Sequence, residues 1–391
     1  MIRWSPEQVE LRAGLARWCD DLSADHVEQD AQGVFPREKW ALIQKTGILG
    51  LPFGSPWGGL GQDLLTTMYV LEGLGLGCRD GGLSFSVTTS MASTGVPLQD
   101  FGSAELKDRY LPAICTGDAI GAHAITETES GSDALQMRTT AERDGDHFVL
   151  NGSKIFVSNG PIADLIVIYA RTRPDAGALG ITAFLVPGDT PGLGVGAPVA
   201  KMGLRTSPVS ELYLDGCRVP ASHVLGQVGG GFLVLDHVMK REILFSFIVN
   251  VGEMQHRLDR CVEYARKRQQ FGQPIGSFQA VAHKIVDMKI RLETARKWLY
   301  DTGERLLTGA NVTTELAIAK LLTSEANLES SLTAVQVFGG NGYMSEYGLE
   351  KDVRNAVAGR IYSGSNEMQY NRVAAMLGLG KTAPTKESPQ S

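Results

Sequence analysis

Two stretches of the chain carry groups able to move a proton in an apolar setting. In MKREILFSF (239–247) a carboxylate, Glu242, is followed by Ile243, Leu244, Phe245 and Phe247. A carboxylate walled by such residues loses solvation, which raises its pKa and strengthens it as a base. The plainer reading of Glu242 is a surface glutamate on a helix, balanced by Lys240 and Arg241. In IYSGSNEMQ (361–369), Ser363 and Ser365 offer hydroxyls and Glu367 offers a second carboxylate. A serine hydroxyl stays protonated near neutrality, and no histidine lies nearby in sequence to activate Ser363, so it cannot serve as a base alone. Glu127 and Glu129, in AITETESGSD (124–133), are weaker candidates in a loop of small and hydroxyl residues.

Other chemistries find less support. Cys19, Cys78, Cys115, Cys217 and Cys261 are odd in number and lack paired metal-ligand spacing, which predicts buried free thiols in a reducing cytoplasm and no bound metal. Cys217 sits in a polar, loop-like stretch where a reactive thiol is the alternative reading. The glycine-rich GQVGGGF (226–232) has neither the spacing nor the downstream acid of a nicotinamide-binding strand–turn–helix unit.

The elements that must position these groups change along the chain. Residues 1–120 show apolar positions recurring at three and four, as in PEQVELRAGLARWCDDL, interrupted by turns such as PFGSPWGGLGQ. From 121 to 230, β-branched runs (HFVLNG, KIFVSN, DLIVIYAR, ITAFLVP, ELYLDG) alternate with Gly, Pro and Asp, the pattern of an antiparallel β-domain. Helical periodicity returns over 231–378, and the remaining 379–391 is predicted to be a disordered tail. This order predicts an α+β fold. In 391 residues, a hydrophobic fraction of 43% with a net charge of −6 and dispersed Lys and Arg argues against nucleic acid or a membrane surface as partner. The N-terminus reads as a helix rather than a targeting segment, so a cytoplasmic location is expected.

Five blocks then occur in order: AITETESGSD (124–133), NGSKIFVSNG (151–160), KMGLRTSPVSELYLDGCRVPASHVLG (201–226), ARKRQQFGQPIGSFQ (265–279) and QVFGGNGY (336–343). Together they resemble the signature blocks of the acyl-CoA dehydrogenases, a resemblance that covers all but the tail. It implies an N-terminal helical domain, a middle antiparallel β-domain and a C-terminal four-helix bundle, with FAD as cofactor. It also implies that the backbone near Thr126 and the Ser158 hydroxyl address the flavin ring, with Phe156 in place of a flanking tryptophan. Ser132 matches a position touching both cofactor and thioester arm, and Ser365 and Glu367 match positions near the rest of the cofactor. Arg268 matches the arginine directed at the pyrophosphate, Phe271 the residue beside adenosine, and Gln336, Gly339 and Gly340 the segment approaching a neighbouring subunit's cofactor. A homotetramer or homodimer follows from that sharing.

The resemblance further implies removal of an α-proton from an acyl thioester, with the β-hydrogen leaving as hydride, and hence a base held within reach. Ser363, beside Gly364 at the substrate, stands where one pattern of the family has glutamate. A second branch, including isovaleryl- and long-chain-type enzymes, carries the glutamate on the helix after the β-domain. Counting from Phe232, or back from Met254 and Gln255, places Glu242 there and makes it the candidate base. Replacing Ser363 by alanine is then expected to do little, and its small size leaves room for short, branched or unsaturated acyl groups, γ,δ-desaturation included. Where relatives read LDxxR, to hold coenzyme A, this chain has Lys240 and Ile243. The basic pair Lys240 and Arg241 suits instead an acidic acyl carrier protein. The family's usual electron acceptor is an electron-transfer flavoprotein. Two further readings stay open: a flavin oxidase or monooxygenase acting on a nitrogen-containing substrate, and a non-catalytic acyl-thioester-binding protein.

Overall fold

The computed structural model describes residues 2–379, so nearly all of the tail expected to be disordered lies outside the described residues. Eight α-helices come first: α1 (Pro6–Ala16), α2 (Cys19–Ser23), α3 (His26–Gln32), α4 (Arg37–Thr46), α5 (Leu64–Gly77), α6 (Gly81–Thr89), α7 (Val96–Phe101) and α8 (Ala104–Thr116). Between α6 and α7 the helix loosens into a π-helical turn, Ser90–Gly95.

Strands β1 (Gly121–Ala124), β2 (Thr140–Asp144), β3 (His147–Ser158), β4 (Leu165–Arg171), β5 (Ile181–Pro187), β6 (Leu193–Val195), β7 (Val209–Pro220) and β8 (Val224–Leu225) follow. They form one sheet in the order β6-β7-β3-β2-β4-β5-β8, with β1 on β4. The sheet is antiparallel except that β4 runs parallel to β1 (Gly121↔Leu165) and to β2, a departure from the purely antiparallel expectation. Side chains alternate across it. Ile166, Ile168 and Ala170 of β4 enter a core internal to the sheet layer, whereas Leu165, Val167 and Tyr169 join the helical core. Cys217 lies within β7, fully buried, and burial pushes its thiol up to about 11. The loop-borne reactive thiol is therefore overturned, and all five cysteines are free and buried.

The last part holds α9 (Gly231–Lys267), a small hairpin of β9 (Gln269–Gln270) and β10 (Gln273–Pro274), α10 (Gln279–Leu307), α11 (Thr313–Phe338), α12 (Gly340–Tyr343), α13 (Leu349–Ala358) and α14 (Asn366–Met376). Helix α9 fixes the site, since it runs 37 residues without a proline and packs on α5, α10 and α11. Its crossing with α5 is a backbone contact. A Cβ on Gly75 would lie 2.0 Å from the Val249 carbonyl oxygen, and one on Gly252 would lie 2.2 Å from that of Glu72. Glu72 also accepts hydrogen bonds from Arg296 (3.1 Å) and Tyr300 (2.8 Å) of α10, tying the N-terminal helices to the C-terminal ones.

Candidate active site

Four elements converge on Glu242. Helix α9 supplies the carboxylate, whose side chain is 15% exposed. The π-helical turn supplies Ser93, whose Oγ donates to Oε2 at 3.0 Å. The turn before α14 supplies Ser363, whose Oγ donates to Oε1 at 2.5 Å. Strand β1 supplies His123, with Nδ1 3.6 Å from Oε2. Irregular backbone makes two of these contacts possible. π-Turns inside helices concentrate at functional sites. Ser363 adopts φ 55° and Gly364 φ 80°, left-handed geometry held by Gln369 Nε2, which donates to both carbonyls (3.2 and 3.0 Å). Ser365 then caps α14.

Desolvation pushes the Glu242 carboxyl up, but His123, Ser363 and Ser93 more than offset it and hold the group below its ordinary value. This reverses the expectation that an apolar wall would raise it, because hydrogen-bond donors reach both oxygens. The Ser363 hydroxyl is itself bonded to the carboxylate, so a Ser363→Ala change that does little is no longer what the contacts lead one to expect.

The residues expected to hold FAD fall into two groups. In the first, the Thr126 carbonyl accepts from Ile155 N (2.8 Å), joining the loop after β1 to a bulge in β3. Phe156 sits in that bulge at φ 56° and is 71% exposed. An aromatic residue held in left-handed backbone with its face outward, beside the half-buried Ser158 and Thr126, fits the wall and polar edge that an isoalloxazine requires. Glu127 is fully engaged: it accepts from the backbone N–H of Arg138 (2.5 Å) and Thr139 (3.0 Å) and from Lys154 Nζ (2.6 Å), so it is no free base. Ser132 is exposed on the neighbouring turn, Ser365 is half-buried, and Glu367 is exposed in the first turn of α14.

The second group gathers at the far end of α9. Tyr264 stacks on Phe338 at 4.0 Å, bringing the α11 terminus, with Gln336, Gly339 and Gly340, beside Arg268. Phe271, at φ 51° with Gly272 at φ 78°, forms the tip of the β9–β10 hairpin and is 92% exposed. Gly339 takes φ 60°, ψ −133°, open to glycine alone, and a Cβ on it or on Gly340 would meet nothing within 4 Å in this chain. Arg268 lies 26 residues beyond Glu242, about 39 Å along the helix. Arg268 thus lies far along α9 from the carboxylate.

Of the basic pair, Lys240 is bonded to Asp236 (2.6 Å), so its charge is compensated. Arg241 is half-buried, and burial pushes its guanidinium down, partly opposed by Asp100. Sequence reasoning missed Ser93 and His123. His123 stands one residue before the AITETESGSD block, and nothing in GAHA marks it as a partner of an acid 119 residues later.

Residues 5–118, 122–217 and 229–378 match the N-terminal, middle and C-terminal domain models of acyl-CoA dehydrogenase. The chain is 40% identical over 365 residues to the L-prolyl-[peptidyl-carrier protein] dehydrogenase of Serratia sp. (strain ATCC 39006), covering 93% of this chain and 95% of that one. Among solved structures, the prolyl acyl carrier protein oxidase AnaB superposes with a TM-score of 0.94 at 40% identity, covering 96% of this chain and 100% of the other. PigA with FAD and proline superposes with a TM-score of 0.94 at 38% identity, covering 97% and 99%. With all three of its parts matched in order, the chain belongs to the acyl-CoA dehydrogenase family.

Proposed function

We propose that the protein is an FAD-dependent oxidoreductase that dehydrogenates a small acyl group presented as a thioester, with Glu242 removing the α-proton. The observation carrying this reading is the Glu242 carboxylate, pinned at both oxygens by serine hydroxyls. FAD, when bound, supplies the hydride acceptor. The chain supplies the rest. Thr126, Phe156 and Ser158 would hold the flavin, and the two serines keep the carboxylate ionised and aimed. A carboxylate so held takes the α-proton in one step as the β-hydrogen departs.

Next to the carboxylate, α9 packs on α6 and on the turn before α14. Ser246, one turn from Glu242 on the same face of α9, hydrogen-bonds Thr88 of α6 at 3.3 Å. Tyr362 packs between Phe85 (4.9 Å) and Phe247 (5.2 Å). The compact acyl group proposed is one like the prolyl ring named for the relatives, and tight packing beside the carboxylate supports it. The carrier proposed is the phosphopantetheine of an acyl or peptidyl carrier protein, because Lys240 and Ile243 stand where the coenzyme A-holding acid and arginine would be. The division of FAD-binding residues into two distant groups supports an oligomer whose site is completed by a second chain.

Anaerobic mixing of the FAD-loaded protein with a panel of acyl groups, each on coenzyme A and on a carrier protein, tests the reading through loss of the yellow flavin colour. Fast bleaching by a prolyl or other small acyl carrier thioester is expected. Absence of bleaching by every thioester would overturn it. Substrate-dependent oxygen uptake, compared with transfer to an electron-transfer flavoprotein, identifies the acceptor.

A further inference from the structure

The His123 side chain lies beside the carboxylate, largely out of solvent. Its side chain is 7% exposed, its Nδ1 lies 3.6 Å from Glu242 Oε2, and its Nε2 is buried without a hydrogen-bond partner among the described residues. Its ring meets Tyr169 of β4 edge-on at 5.2 Å, and the Tyr169 hydroxyl is likewise buried and unpartnered. For packing alone an apolar ring would serve as well, without leaving a buried polar atom unpaired.

We propose that His123 is a positioning residue for Glu242, its imidazole held against the carboxylate so that it favours the ionised base; this rests on Glu242 being the base. The groups facing the pair come from every packed element: Ser93 from the π-turn, Tyr169 from β4, and Tyr362 and Ser363 from the turn before α14. Burial pushes both phenols up, so they stay neutral. Among the described residues, His123 is the one basic side chain within 4.0 Å of Glu242. Two hydroxyls steer the carboxylate but leave a net negative charge in an apolar site, a costly state that an adjacent ring N–H offsets.

The proton balance is simple. When the α-C–H bond breaks, its electron pair stays with the acyl chain and its proton bonds to Glu242. The pair then holds one proton more than before, and either member releases it to solvent before the next turnover.

The test uses the FAD-loaded protein. Flavin reduction by an acyl thioester is followed against pH in wild type, His123→Phe, His123→Gln and Glu242→Gln. In both His123 variants the acid limb is expected to move up by about one pH unit or more, with activity largely regained on the alkaline side. A uniform loss at every pH, with the limb unmoved, would mean packing alone and overturn the proposal. NMR of histidines labelled at Cε1 gives a second readout. At fixed pH the signal missing in His123→Phe should move in Glu242→Gln relative to wild type, and an unmoved signal would count against pairing. If Glu242→Gln still reduces flavin at nearly the wild-type rate, the base assignment fails; if it is inactive while the His123 variants keep the wild-type limb, only the pairing fails.

Discussion

Ser363 Oγ donates to Glu242 Oε1 across 2.5 Å, joining two residues 121 positions apart through a turn whose backbone only the surrounding fold holds in place. A hydrogen bond to a charged acceptor contributes about 1.5–3 kcal/mol. One pKa unit corresponds to about 1.36 kcal/mol. Ser363→Ala removes a group that stabilises the ionised form, so the Glu242 pKa rises. The base then stays protonated to higher pH, and the acid limb of flavin reduction moves up by roughly one unit, with little change on the alkaline side. An unmoved limb in stopped-flow pH profiles would show that the bond does not tune the base.

Glu242→Gln removes the proton acceptor while keeping shape and hydrogen-bonding capacity. Thioester-driven bleaching should fall by about 10²–10⁴-fold. The protein should remain yellow, because no proposed flavin contact is touched. A variant purified with its full FAD content and reducing it normally would reassign the base.

The scaffold was legible because it is written in periodicity and in turn residues: the texture changes fall close to where β1 starts, at Gly121, and where α9 starts, at Gly231. Glu242 was legible only through its register after GGGF and before Met254 and Gln255. What escaped was everything that depends on non-local contact or irregular backbone. Ser93 reaches the carboxylate through a π-turn that MASTG does not announce. His123 does so because β1 pairs parallel to β4 and turns its odd-numbered side chain toward the helices. The pKa direction went wrong for the same reason, since apolar neighbours in sequence are visible and hydroxyl donors from elsewhere are not.

Lys154 Nζ, fully buried, bonds to Glu127 Oε1 at 2.6 Å and holds the loop that carries Thr126 against β3. Lys154→Met leaves Glu127 as an uncompensated buried charge and should destabilise the protein by about 3–5 kcal/mol, measured by urea unfolding. Adding Glu127→Leu should restore only part of this, because the N–H groups of Arg138 and Thr139 then lose their acceptor. Full restoration would show that the carboxylate's backbone bonds contribute nothing.

Arg241 is the basic residue of α9 near Glu242 that lacks a salt-bridge partner among the described residues, Lys240 being bonded to Asp236. If an acidic carrier protein docks here, Arg241→Glu should raise the KM for a carrier-bound substrate at least tenfold and weaken its salt dependence. The value for the same acyl group on a short pantetheine thioester should stay within about twofold, since the small thioester brings no acidic surface. Equal effects on both substrates would place Arg241 inside the acyl pocket instead of on a docking face.

Arg268 and Phe271 are exposed and bond to no other side chain among the described residues, so their removal should leave the fold of one chain intact. Surface changes of this kind usually alter stability by no more than about 0.5 kcal/mol. In the two-chain arrangement proposed for the FAD site, however, both act on a cofactor whose flavin ring lies in another subunit. Arg268→Ala combined with Phe271→Ala should therefore lower the bound FAD per chain several-fold while the urea midpoint of FAD-stripped protein stays unchanged. Light scattering should show the oligomer weakening at low concentration, because the cofactor would no longer bridge the chains. Full FAD occupancy together with an unchanged oligomer mass would mean that the far end of α9 plays no part in holding the cofactor, and the two-chain site would have to be abandoned.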